Sequence, residues 1–174
     1  YSQLLLDDFR VGEMTSSNGW WANKFGFQIG AKYYNAFNIE NLLLQFEYNH
    51  IRPYVYAHST PITNYGHNNQ SLGHQWGGNA REVVAIGRYF KGRWFGDAKL
   101  TYGVRGLDFD TAENTFNYGG NIYKDYDDQR PFDTGVSIGQ GNKTTIMIAD
   151  LQAGYLVNPA SSLKVFASLI YRNF

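Results

Sequence analysis

The chain has 174 residues with fifteen acidic and fifteen basic side chains, so its formal net charge of zero gives no electrostatic basis for nucleic-acid binding. It has no cysteine, which excludes a disulfide framework, a thiolate metal site and a cysteine nucleophile. Nineteen glycines and 17% aromatic residues, against four prolines, suit strands, tight turns and interfacial aromatic belts better than helices, and no run of about eighteen apolar residues could cross a membrane as a helix.

In chain order, residues 1–9 open on SQLLLDD, which reads as the tail of a strand rather than as a charged-then-apolar leader. The chain is therefore expected to be an internal piece of a longer protein. A side-chain period of two sorts the segments that follow into faces. In 24–37, Phe25, Phe27, Ile29, Ala31 and Tyr33 alternate with Lys24, Gly26, Gln28, Gly30 and Lys32. In 41–56, Leu42, Leu44, Phe46 and Tyr48 oppose Gln45, Glu47 and Asn49. Segment 80–91 is less clean, because Glu82 and Arg88 share a face with Val84 and Ile86. In 92–107, Trp94, Ala98, Leu100, Tyr102 and Val104 oppose Arg93, Asp97, Lys99, Thr101 and Arg105, with Phe95 the exception. In 143–157, Met147, Ala149, Leu151 and Tyr155 oppose Asp150 and Gln152; in 162–174, Leu163, Val165, Leu169 and Tyr171 oppose Lys164, Ser168 and Arg172. Seven strands are predicted.

Their connections alternate in length. Residues 37–40, 90–92 and 157–161 are short turns, while 10–23, 57–79 and 108–142 are long and polar. That alternation is the pattern of an antiparallel transmembrane β-barrel of the bacterial outer membrane, with turns on the periplasmic side and loops outside. A soluble lipocalin-like barrel shows the same alternation with the apolar side inward, but has no reason to segregate its loops by length. Aromatic or soft residues recur eight positions apart on the apolar faces, as from Phe25 to Tyr33 and from Trp94 to Tyr102, about 20 Å along a tilted strand and close to the spacing of aromatic girdles. Seven is an odd count, and the last strand rises to the long-loop side, so the single barrel domain 1–174 is expected to be truncated at both ends.

The stretch NYGHNNQSLGHQWGGNARE, residues 64–82, holds little that could build a core. Its histidines and those before it, His50, His58, His67 and His74, raise a metal reading, but their spacing does not require convergence on one ion. A serine nucleophile, Ser59 or Ser71 with a histidine base, lies in no characteristic motif, so no catalytic residue is assigned. The expected role is a hydrogen-bonded loop folded into the barrel mouth. Its members are His58, Asn64, Tyr65, His67 and Asn69, followed by Gln70, His74, Trp76 and Asn79. Charges of both signs on the polar faces predict pairing across a closed lumen rather than an open pore.

The 108–142 loop is acidic and aromatic. It carries Asp108, Asp110, Glu113 and Asp133, the acids Asp125, Asp127 and Asp128, and the rings of Tyr118, Tyr123 and Tyr126. Three readings stand: a solvated loop, a glycan or partner surface in which the tyrosines stack and the acids accept hydroxyl hydrogen bonds, or a calcium site on Asp125, Asp127 and Asp128.

The stretches SQLLLDDF, NLLLQFEYNHIRPYVYAHS and NYGHNNQSLGHQWGGNARE together resemble the Bacteroidetes branch of the Wzi-like capsule assembly family, which includes related gliding-motility outer-membrane proteins. The likeness is carried by Glu47, Tyr48, Arg52, Pro53, Tyr54, Tyr56 and His58, then by Asn64, Tyr65, His67, Asn69, Gln70, Leu72 and His74, then by Gly77 or Gly78 with Asn79. After the last histidine the branch often has Pro-Leu-Gly, where this chain has Gln75, Trp76 and Gly77. The resemblance implies a monomeric barrel of about eighteen strands, of which this chain is the C-terminal part without the final hairpin. It implies a cell-surface role, anchoring or assembling polysaccharide at the outer membrane. The alternative is an accessory subunit of a gliding or secretion machine, with outer-membrane proteins as partners. A porin ranks behind both.

Overall fold

The structure, a computed structural model, describes residues 1–109 and 111–174, so Asp110 of the acidic loop lies outside the described residues. The elements are β1 (Ser2–Leu6), α1 (Val11–Thr15), β2 (Phe25–Tyr34), β3 (Leu42–Ile51), β4 (Gly66–His67), β5 (Gln70–Ser71), β6 (Ala80–Lys91), β7 (Trp94–Leu107), β8 (Asn142–Asn158) and β9 (Leu163–Asn173). The seven long strands form one antiparallel sheet in the order β1-β2-β3-β6-β7-β8-β9, and β4 pairs with β5 in a separate hairpin. The sheet does not close on itself; β1 and β9 are its edges.

Directly opposed residues in an antiparallel pair share a face, and the register keeps the two faces chemically distinct across the sheet. Ile29 opposes Tyr48, Phe46 opposes Ala85, Leu100 opposes Ala149 and Leu151 opposes Leu169. On the other face Glu47 opposes Val84, Arg88 opposes Asp97, Lys99 opposes Asp150 and Gln152 opposes Ser168. Because a one-residue slip would exchange the faces, this alternation specifies the pairing.

Three predicted boundaries are corrected. The 41–56 strand stops at Ile51, because Tyr54 (φ 65°) and Tyr56 (φ 75°) take left-handed backbone that no ladder can continue, and Pro53 lacks the N–H a ladder needs. The 24–37 strand ends at Tyr34, where Asn35 (φ 49°) starts a turn earlier than the predicted 37–40. The 1–9 strand is Ser2–Leu6, since Asp7 and Asp8 turn toward Lys24.

The buried apolar residues do not lie under the apolar face of the sheet. Leu4, Ile29, Phe46, Leu100, Leu151 and Leu169 are exposed there. The core is instead a cluster of Ile51, Val55, Tyr56, Trp76, Ala80, Ile122 and Ile146 at the long-connection end. The long connections fold back onto the polar face. Trp76 shows how: a Cβ on Gly103, which shares the face of Thr101 and Arg105, would lie 2.5 Å from the indole ring, so a glycine there is what makes room for it.

Candidate functional site

In an antiparallel sheet joined in chain order, the connections 7–24, 52–79 and 108–141 must emerge at the same end. They are bonded to one another there. Trp21 N–H donates to Asp133 O (2.9 Å), Gly135 N–H to Asn18 O (2.7 Å) and Val136 N–H to Gly19 O (3.0 Å), which ties the first connection to the third. Tyr54 N–H donates to Gly119 O (3.0 Å) and its hydroxyl to Asn117 O (2.8 Å), which ties the second to the third. Burial pushes the Tyr54 phenol well above its ordinary pKa and raises that of Tyr56.

Three buried asparagines satisfy backbone groups that strand pairing leaves free. Asn79 Nδ2 donates to Tyr118 O (3.1 Å) and Gln140 O (3.0 Å), while its Oδ1 accepts from Gly139 N–H (2.7 Å). Asn117 Nδ2 donates to Asp125 O (2.8 Å) and its Oδ1 accepts from Gly119 N–H (2.9 Å). Asn64 Oδ1 accepts from His58 N–H (2.6 Å) and its Nδ2 donates to Ile122 O. Lys24 is the cluster's buried charge. Its ammonium, 0% exposed, pairs with Asp7 (2.8 Å) and Asp8 (2.9 Å), donates to Ala57 O (3.3 Å) and lies over the Tyr126 ring.

The predicted mouth residues divide into a buried base and an exposed tip. Asn64, Trp76 and Asn79 are buried, and His74 is nearly so. Trp76 N–H donates to His74 Nδ1 (3.2 Å), which makes that nitrogen the acceptor and leaves Nε2–H to face Glu82 Oε1 at 2.8 Å. Tyr65, His67, Asn69 and Gln70 form the exposed tip around the β4–β5 hairpin. His58 is half-buried beside Asp7 (3.8 Å), and His50 is stacked on Phe25 and Phe27 in the sheet. The four histidines therefore sit in four different environments, and among the described residues no group of three or more His, Asp or Glu is placed to hold a metal ion.

The 108–142 connection is solvated only in part: 111–113, 127–129 and 132–135 are exposed, whereas Asn117, Gly119, Gly120, Ile122 and Val136 are buried. Loop backbone can enter the interior here because side-chain amides and the other connections pair its polar groups. Its tyrosines do not make one platform. Tyr126 packs on Trp21 (5.0 Å between ring centroids), Tyr118 meets Phe109 (5.7 Å) edge-on, and Tyr123 donates its hydroxyl to Gln70 O (3.2 Å). Nor do Asp125, Asp127 and Asp128 converge as calcium ligands. Asp125 Oδ1 accepts from Asp127 N–H (2.8 Å), and Asp127 with Asp133 clasps Arg130, whose guanidinium lies 3.7 Å above the Trp21 ring.

Two cavities lie in this region. A cleft of about 960 Å³ separates the hairpin from the third connection and is lined by Gln70, Arg105, Asp108, Asn121, Tyr123 and Lys124. Lys124 pairs with Asp108 at 2.7 Å across it. A second cavity of about 650 Å³ opens onto Glu47, Asn49, His74, Glu82 and Lys99 of the polar face. There Asn49 Nδ2 bridges Glu47 and Glu82, 3.0 Å from each.

Several residues that organise this end carried no sequence signal of their role. Asn117 and Arg130 lie in an acidic run that reads as solvated, Tyr54 sits inside an apparent strand, and Lys24 reads as one polar-face cation among several. Comparison with protein-family models, with curated proteins and with solved structures finds no match in any of the three.

Proposed function

We propose that the sheet is an arc of a transmembrane β-barrel of the bacterial outer membrane, of the capsule-assembly type that its motif resembles, and that the packed loops at its mouth anchor or assemble a surface polysaccharide. The observation that carries this reading is the inverted arrangement of the molecule: its large apolar face is exposed, while its buried core lies on the opposite face, where Val55, Tyr56, Trp76 and Ile122 of the long connections pack on Ile51, Ala80 and Ile146 of the strands. In water such a face would forfeit about 25 cal/mol for each Å² of apolar surface left uncovered, and exposed apolar patches of this kind mark a partner or a membrane. Hydrocarbon covers it without a protein partner. The ten residues each of β2 and β3, tilted about 40°, rise about 25 Å, the height of the apolar band of such barrels. Trp94 and Tyr155 meet edge-on (4.9 Å) on the outward face near the short turns, as a girdle requires. No helix is long and apolar enough to cross a membrane, a fact that says nothing of crossing by strands.

The orientation is tested with single cysteines in place of Asn68, Asn121 and Pro159. An impermeant maleimide on intact cells should label the first two and not the third; labelling at position 159 alone overturns the assignment of loops to the outside. The surface role is tested by filling the cleft. Asn121→Trp, at an exposed position on its rim, should release polysaccharide from the cell surface with no drop in folded protein in the membrane. Retained polysaccharide together with a gliding or secretion defect would make the loops a protein-docking surface instead.

A further inference from the structure

We propose that the cleft between the β4–β5 hairpin and the 108–141 connection takes an acidic saccharide, and that Arg105 recognises its carboxylate. The inference rests on the polysaccharide reading above and adds the charge of the ligand. Of the three charged side chains that line the cleft, two cancel, since Lys124 Nζ lies 2.7 Å from Asp108 Oδ2. Arg105 is left over. None of the ion pairs among the described residues includes it, and its buried Nε has no hydrogen-bond partner. Arg130 is matched with Asp127 and Asp133 and Arg88 with Asp97, and Arg52, whose Nε is likewise unpartnered, still donates from Nη2 to Trp20 O, whereas no hydrogen bond among the described residues includes the Arg105 guanidinium.

A half-buried guanidinium without an acceptor is costly unless something completes it. Its rigid planar fork matches a carboxylate through two parallel N–H···O bonds. Room for that group is offered by the cleft of about 960 Å³ that Arg105 lines. The remaining walls suit a sugar. Asn121 Oδ1 accepts from Tyr123 N–H (2.9 Å), which leaves the Asn121 Nδ2 donors for hydroxyls, and the rings of Phe109 and Tyr123 offer apolar surface for the C–H face of a pyranose.

The test uses the full chain folded in detergent, titrated calorimetrically with hexagalacturonate and with its fully methyl-esterified counterpart, which keeps the backbone and removes the charge. The acid should bind, and the ester should bind at least tenfold more weakly. Arg105→Gln should weaken the acid roughly 10- to 100-fold, the usual worth of hydrogen bonds to a charged group, and leave the ester unchanged. Arg105→Lys, which keeps the charge and loses the fork, should fall between. If Arg105→Gln does not fold, the unaltered protein still decides the matter: rising salt should weaken binding of the acid and not of the ester. Equal binding of acid and ester overturns the charge assignment while the polysaccharide reading survives. Displacement of the acid by millimolar inorganic phosphate, with no displacement by acetate, would make this a phosphate site and overturn it as well. If neither oligosaccharide binds, the assignment of Arg105 falls, and the polysaccharide reading is judged independently by polysaccharide retention in Asn121→Trp cells.

Discussion

Asn79 holds three backbone groups of the 108–141 connection from a position with φ 56°, a region asparagine tolerates better than most residues. Asn79→Ala would leave the Gln140 carbonyl and the Gly139 N–H unpaired in a partly buried site, at about 1–3 kcal/mol for a buried group left unsatisfied, while Tyr118 O keeps Gln140 Nε2 as its donor (2.9 Å). Asn79→Gly relieves the backbone conformation without restoring any of those bonds. Both variants should therefore show fast amide exchange over 108–141 while the sheet melts as before; protection by glycine alone would mean that φ, not hydrogen bonding, is what selects asparagine. For the buried ammonium of Lys24, Asp7→Asn together with Asp8→Asn leaves the charge unpaired and should loosen the 7–24 connection by about 3–5 kcal/mol, read as new proteolytic cleavage there. Asp8→Asn alone should do little, because Asp8 is 59% exposed and Asp7 remains. Tyr54 contributes a pH dependence. Its folded pKa lies above the unfolded value of about 10, so its stabilisation is complete below pH 10 and is lost as pH rises from there toward the higher folded value. Tyr54→Phe should lose about 1 kcal/mol with the bond to Asn117 O and flatten the alkaline loss of loop order followed by tyrosine fluorescence.

Each long strand owes its two faces to alternation, so a charge should have opposite consequences on neighbouring positions. Leu100 is exposed on the apolar face and opposes Ala149, while Gln152 lies on the polar face opposite Asp97 and Ser168. If the apolar face meets lipid, Leu100→Arg should cost about 2–4 kcal/mol of folding into bilayers, whereas Gln152→Arg gains Asp97 as a neighbour and should fold as the unaltered chain does. Folding efficiency into vesicles, followed by heat-modifiable mobility in a detergent gel, separates the two. Equal tolerance of both would remove the membrane from the account. The strands were readable because alternation needs only near neighbours in sequence, and six of the seven predicted strands coincide with observed ones to within three residues at each end. Strand β3 was overread by five residues because Tyr54 and Tyr56 continue the alternation in type while their backbone is left-handed.

For the molecule as a whole, the consequence of loops folded onto the polar face is obstruction. Trp76, His74 and Asn64 occupy the end of the sheet that would be the mouth of a barrel, and Trp76 is seated on Gly103 of the polar face. Reconstituted protein should therefore conduct little, and deletion of 64–78 should raise the conductance of single molecules. Large ohmic steps from the intact protein would favour a porin. If the sheet is an arc of a barrel, its mouth is closed by loop-to-loop bonds rather than by one segment, and Asn79→Ala should give intermittent openings rather than a permanent pore.

What the amino-acid order determined by itself was the periodic part: seven strands, two chemically distinct faces, and long and short connections in alternation. Each follows from physics that acts between neighbours in the chain, namely the two-residue period of extended backbone and the turn preferences of Gly, Asn and Pro. The tertiary structure decided the rest, from the packing of the three connections into one core to the separation of Tyr118, Tyr123 and Tyr126 and, among the described residues, the matching of every cleft charge except that of Arg105. Those outcomes depend on partners such as Asn79 with Gln140, Tyr54 with Asn117 and Lys24 with Ala57, which lie 61, 63 and 33 positions apart. An asparagine or lysine looks the same in sequence whether it is solvated or buried; only the folded chain brings up the carbonyl or carboxylate that makes its burial affordable.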